Sequence, residues 1–241
     1  MGLFDRLFNK QERAASGSPI YRHGEGTPRP MGAPEAPVEW VAEREQFYGR
    51  FFGECQHVIH ELLPLIPHID IYVYPPQSKR DFYTLITGGM SDCPMKTPQG
   101  VPVEGQRIEL YMRVPTLETS APLSTQHSWE INGLRFLSRF PFEHNTWFGP
   151  MHTMPNGQPS EPIVPGSQLT TMLFMPAAFE AKDFTEGVTY SDGTRASFLW
   201  IDFLTDAECE YKLKHGGNAI FDLFDKHKHP RVTNINRQSY I

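Results

Sequence analysis

The stretch RIELYMRV, residues 107–114, decides the fold class. Ile108, Leu110, Met112 and Val114 alternate with Arg107, Glu109, Tyr111 and Arg113. Successive strand side chains point to opposite faces, so this alternation predicts a half-buried antiparallel strand with its second face in water. IDIYVY (69–74) alternates in the same way, and FYTLITG (82–88) reads as another short strand. LTTMLFM (169–175) and ASFLWIDFL (196–204) are nearly continuous apolar runs, which predicts central strands covered on both faces.

Helical patterns surround these strands. From Val38 to Leu63 the residues Trp40, Phe47, Phe51, Cys55, Val58 and Leu62 recur at helical spacing, with Pro64 as the stop. A second helix is expected from Gln126 to Arg139. A third starts at Thr205, where Glu208 three residues later completes a capping box, and is expected to reach about Lys226. The Gly216-Gly217 pair in its middle costs about 1 kcal/mol per glycine relative to alanine. It therefore predicts a kink or a close approach of another element. The order is helix, three strands, helix, two strands, helix, without repeated βαβ units. This predicts an α+β fold with a mostly antiparallel or mixed central sheet flanked by helices.

Residues 1–37 stand apart. Leu3, Phe4, Leu7 and Phe8 share one face of a short amphipathic segment. It could dock on the protein's own body, on a partner, or on a membrane surface as the foot of a peripheral adaptor. Of the 22 residues from Ser16 to Pro37, 11 are Gly, Pro or Ser, which predicts an extended, mobile linker. The folded domain is expected over residues 38–241.

A net charge of -6 argues against a nucleic-acid binder and suits a basic protein partner. Cys55, Cys93 and Cys209 are far apart and form no CxxC pair, which points to free thiols in a reducing, cytoplasmic setting. No run approaches the ~20 apolar residues of a membrane helix, so no stable membrane insertion is expected. MGLFDRLFNK lacks the apolar stretch of a signal peptide.

Candidate chemistry is sparse. His57, His60 and Glu61 in HVIHE lack the HExxH order and a nearby third ligand, so no metal site is expected. Neither GxxxxGK[ST] nor GxGxxG occurs, and no cofactor is expected. The unusual stretch is HNTWFGPMHTMPNG, residues 144–157. Its prolines and glycines fix turns, and Trp147 and Phe148 can plug the core below. His144, Asn145 and His152 can serve the loop's own backbone groups, a partner, or catalysis. An enzyme built on His144, His152 or Cys209 requires those groups to converge in one pocket within hydrogen-bond reach.

Four stretches in order, TLITGGMSDCPM (84–95), ELYMRVP (109–115), RFPFEHNTWFGPMHTMPNG (139–157) and ECEYKLKHGG (208–217) followed by DLF (222–224), resemble the suppressor-of-fused (SUFU) domain family. The resemblance spans roughly residues 45 to 230. It implies an α+β domain that acts by binding proteins, with no established catalysis. Animal members hold transcription factors and close a second, C-terminal domain over them. This chain ends at Ile241, which implies a single-domain bacterial type whose relatives resemble immunity proteins of polymorphic toxin systems. The implied partner is then a cognate toxin. His144, Asn145, Trp147, Met151, His152 and Asn156 are the residues expected to meet it. In the family pattern a glycine precedes the loop histidine, and Met151 stands there instead. Either that turn differs, or Met151 is an exposed apolar contact.

Overall fold

One mixed sheet organises the computed structural model, which describes residues 12–33, 36–78, 80–115 and 128–241. Its strands are β1 (His57–Ile59), β2 (Asp70–Tyr74), β3 (Phe82–Gly88), β4 (Ile108–Pro115), β5 (Thr153–Pro155), β6 (Leu169–Pro176), β7 (Val188–Thr189) and β8 (Arg195–Thr205). They lie in the order β1-β2-β3-β4-β8-β6-β5, and β7 pairs with the start of β8. Among the described residues only β4 and β8 run parallel, with Ile108–Tyr111 opposite Ser197–Trp200. All other pairs are antiparallel. The amphipathic segment at residues 3–8 and the expected helix start at Gln126 lie outside the described residues.

Helices cover both faces. On one side α1 (Glu39–Phe52), the single turn α3 (Lys182–Thr185), α4 (Asp206–His215) and α5 (Gly217–Lys226) pack on Tyr72, Ile86, Tyr111, Phe198 and Trp200. On the other, α2 (Trp129–Glu143) lays Ile131, Leu134 and Leu137 on Ile71, Leu85, Leu110, Met112 and Phe203. Both expected central strands are buried on both faces. Every residue from Leu169 to Met175 is buried, and so is every residue from Phe198 to Thr205.

Several expectations change. The first helix ends at Phe52 and does not reach Leu63. Gly53 leaves it at φ +80, and a Cβ there would lie 1.9 Å from Gln77 Nε2. That amide donates to the Phe52 carbonyl at 2.6 Å, so the chain turns and His57–Ile59 becomes an edge strand on β2. The third helix is two helices. Gly216 breaks it at φ 90, ψ 172, as the glycine pair predicts. The polar face of β4 is not in water: Glu109, Tyr111 and Arg113 are 0%, 1% and 4% exposed, because α1 and the C-terminal segment cover them. The second helix also continues past Arg139 to Glu143, with Pro141 in its last turn.

Composition reads residues 16–37 as a mobile linker, whereas the structure lays residues 12–33 along the body. Ser16 N donates to Leu213 O at 3.0 Å, Thr27 N to Glu143 O at 2.7 Å, and Gly32 N to Pro64 O at 2.9 Å. Arg29 is 5% exposed, pairs with Glu61 and donates to Pro67 O at 2.5 Å.

Candidate functional site

The loop from His144 to Gly157 leaves the end of α2 and feeds β5. His144 N donates to Phe140 O at 3.0 Å, and its ring stacks on Phe140 at 4.1 Å. Asn145 is exposed at φ 51, a left-handed conformation that asparagine tolerates. Trp147 meets His152 edge-on at 4.5 Å, and Phe148 stacks on Phe174 at 4.0 Å. Met151 N donates to Phe174 O at 2.6 Å and Phe174 N to His152 O at 2.9 Å, which pins the loop to β6.

Met151 keeps the positive φ that a glycine would suit. Its φ is 63, a conformation that costs about 1–2 kcal/mol for an L residue with a side chain. Its side chain lies over Gly217, where a Cβ would be 3.1 Å from the Met151 Cβ. Met151 is therefore directed into the fold and is not an exposed apolar contact. The glycine of α5 makes room for the methionine of the loop. Asn156 is likewise engaged, since its side-chain amide donates to Glu161 O at 3.1 Å and Pro162 O at 3.0 Å. Of the six residues expected to meet a partner, Asn145 is exposed, and His144, Trp147 and His152 are half-buried.

The fold brings a second stretch of the sequence to this loop. Lys212 on α4 is 7% exposed, and its Nζ lies 3.4 Å from Thr153 Oγ1. No carboxylate reaches it within ion-pair distance among the described residues. Burial holds its ammonium below the ordinary lysine pKa. Beside it, burial and then the Lys212 charge push His152 down to about 4, against the opposing hydrogen bond to the Trp147 carbonyl. A neutral imidazole at pH 7 follows. Cys209 lies one turn away on α4, where burial raises its thiol pKa against the opposing influence of Thr171. Among the described residues no hydrogen bond joins any two of His144, His152 and Cys209. No group of three or more His, Cys, Asp or Glu there could hold a metal ion. A surface groove of about 570 Å³ lies elsewhere, between α1 and β7, lined by Glu43, Arg50, Glu186 and Arg195 among others.

Sequence reasoning missed two buried ionic clusters that hold the surrounding elements. Glu109 accepts Thr87 Oγ1 and Ser91 Oγ, each at 2.6 Å, and the amides of Gly89 and Ser91, each at 3.0 Å. Arg44 of α1 bridges Asp92 at 2.8 Å and lies 3.7 Å from Glu109. In the second cluster Arg237 binds Glu208 with two bonds of 2.6 and 2.7 Å, and His229 Nε2 lies 2.7 Å from Asp202. Alternation marks the side on which Glu109 sits, but only the fold shows that Arg44 closes over it.

The profile of the Suppressor of fused protein (SUFU) family matches residues 66–238. The chain belongs to this family. The match begins later than the expected residue 45 and runs slightly past residue 230. Among solved structures, the SUFU (suppressor of fused protein) homolog from Neisseria gonorrhoeae superposes with a TM-score of 0.61 at 16% identity, covering 85% of this chain and 98% of that one. A chain of the Sufu–Fu complex gives a TM-score of 0.58 at 18% identity, over 87% of this chain and 93% of that one. Drosophila Suppressor of Fused gives 0.56 at 18% identity, with 88% of this chain and 52% of the Drosophila chain covered. Among curated proteins no match is found. These superpositions place the SUFU fold on this chain. No helix among the described residues is long and apolar enough to cross a membrane.

Proposed function

We propose that this SUFU-family chain is a non-catalytic, cytoplasmic protein-binding module, with the His144–Gly157 loop at the rim of its partner surface. The observation that carries the reading is the convergence of two family stretches on one surface. The loop packs on α5 through Met151 and Gly217 and touches α4 through Thr153 and Lys212. These contacts hold the loop against both helices, and at its start His144 is half-buried and Asn145 exposed. The convergence does not assemble a nucleophile, a base and an acid.

The finer reading is immunity, in which the chain binds and neutralises a cognate toxin. A net charge of -6 favours fast encounter with a basic partner, since complementary fields raise association rates. The test is affinity capture from native cells, followed by titration calorimetry with the purified partner. Wild type should bind, and His144→Glu with Asn145→Arg should weaken binding at least tenfold, a cost of about 1.4 kcal/mol. Equal affinity of the two proteins would remove the loop from the interface. A captured partner without toxic activity would remove the immunity reading alone.

A further inference from the structure

We propose that residues 12–28 are an intramolecular strap, which occupies the His144 loop surface and must leave it before a partner engages there. The proposal rests on the protein-binding reading of that loop. A helix leaves its last carbonyls without intrahelical donors, and the strap supplies donors to two such ends. Ser16 N reaches Leu213 O in the last turn of α4, and Thr27 N reaches Glu143 O at the end of α2. Between these points the strap crosses the loop. The Tyr21 ring lies 6.4 Å from that of His152. His23 meets Phe140 edge-on at 5.3 Å and stands 5.8 Å from His144. Gly26 runs so close to His144 that a Cβ would be 3.0 Å from the imidazole ring. Two of the residues expected to meet a partner, His144 and His152, thus lie against the chain's own N-terminal segment.

The attachment is uneven, and this makes it a strap rather than part of the core. From Arg29 onward the segment is anchored: the guanidinium is 1% exposed, and Pro30 O and Gly32 N bond Ile66 N and Pro64 O at 2.9 Å each. Every residue from Tyr21 to Pro28 is exposed. Pro28 and Pro30 fix the backbone on either side of the anchor. Segments with few buried contacts open at the low end of a protein's local stabilities, so residues 12–28 can peel back while Arg29 stays seated. The strap also lies outside residues 66–238, which the family profile matches.

The test uses three full-length proteins. The first is wild type. In the second, Gly26→Val with Thr27→Pro drives a side chain toward His144 and removes the Thr27 donor. In the third, Gly26→Cys with Glu143→Cys locks the strap, because the two Cβ positions lie 3.3 Å apart, close to disulfide separation. The readouts are the rate of His144 carbethoxylation by diethylpyrocarbonate and the affinity for the captured partner. Relative to wild type, His144 should react several-fold faster in the release protein and several-fold slower in the oxidised lock. Reducing the lock should raise the rate to at least the wild-type value and restore partner binding. Equal His144 rates in all three proteins would overturn the strap, whatever the partner does. Unequal rates with one partner affinity in the oxidised and reduced lock would overturn the gating. Binding by none of the three would sink the protein-binding reading, and the histidine rates would still decide whether the strap covers the loop.

Discussion

Arg237→Met removes the guanidinium that neutralises a fully buried carboxylate. The Glu208 side chain has 0% exposure and receives Arg237 at 2.6 and 2.7 Å. Glu208 also accepts the amides of Thr205 and Tyr240, each at 3.0 Å, and Arg237 donates to Phe203 O at 2.9 Å. The pair therefore joins α4, β8 and the C-terminal segment. Removing one partner of such a pair costs about 3–5 kcal/mol, because the other charge stays buried and unpaired. With a urea slope of about 2–3 kcal/mol/M, the unfolding midpoint should fall by roughly 1–2 M at pH 7. Adding Glu208→Gln should recover part of that loss, since the stranded charge goes with it; coupling in such networks is about 0.5–3 kcal/mol. Acid should shrink the effect. Burial raises the Glu208 pKa, but the Arg237 hydrogen bonds, helped by the Thr205 amide, hold it below the ordinary 4.5. A carboxylate with a depressed folded pKa stabilises above its unfolded value, and that contribution is lost as pH falls through the folded value. Urea titrations of wild type, single and double variants at pH 7 and below 4.5 measure all of this. A midpoint shift under about 0.3 M at pH 7, less than ~1 kcal/mol at that slope, would refute the reasoning.

Other predictions concern the loop and its neighbours. Gly217→Val should overpack against Met151, cost about 1–3 kcal/mol in thermal or urea unfolding and shift Trp147 fluorescence; an unchanged emission spectrum would place Met151 elsewhere. His152 should stay neutral in NMR titrations until the pH nears its folded value of about 4, and its contribution to stability should decline as pH falls below the ordinary 6.5. Titration near 6.5 would show that the site is open. Burial and then His144 lower the pKa of His23, so strap docking should weaken as pH falls through the range below 6.5, seen as faster exchange of the Ser16 and Thr27 amides. Thr205→Ala should cost about 1 kcal/mol in urea unfolding through the lost capping box, and a neutral result would contradict the cap geometry.

Much of the sheet was legible because long strands carry period. β2, β3, β4, β6 and β8 follow from alternation or unbroken apolar runs. β1, β5 and β7 have only two or three residues each, too few to show a period. Val58 suits a helix face as well as a strand, so periodicity alone carries the first helix past Gly53, where the chain turns. Alternation in β4 separated its two faces correctly. It could not tell water from the Arg44 and Asp92 cluster, whose members come from distant segments. The glycine pair at 216–217 announced a break and a close approach, and the structure supplies the neighbour, Met151. Lys212 beside His152 was not legible, because 60 residues separate them and neither carries a motif of its own. The docking of residues 12–33 was hidden for a different reason. A Gly, Pro and Ser-rich composition signals little intrinsic structure, but says nothing about helix ends that need donors.

Hydrogen exchange of the chain with and without its captured partner reads the loop and the strap together. Partner binding should bring new protection within residues 140–157, together with faster exchange at Ser16 and Thr27 as the strap is displaced. Protection confined to other segments, with residues 140–157 and both strap amides unchanged, would contradict a partner surface at the loop.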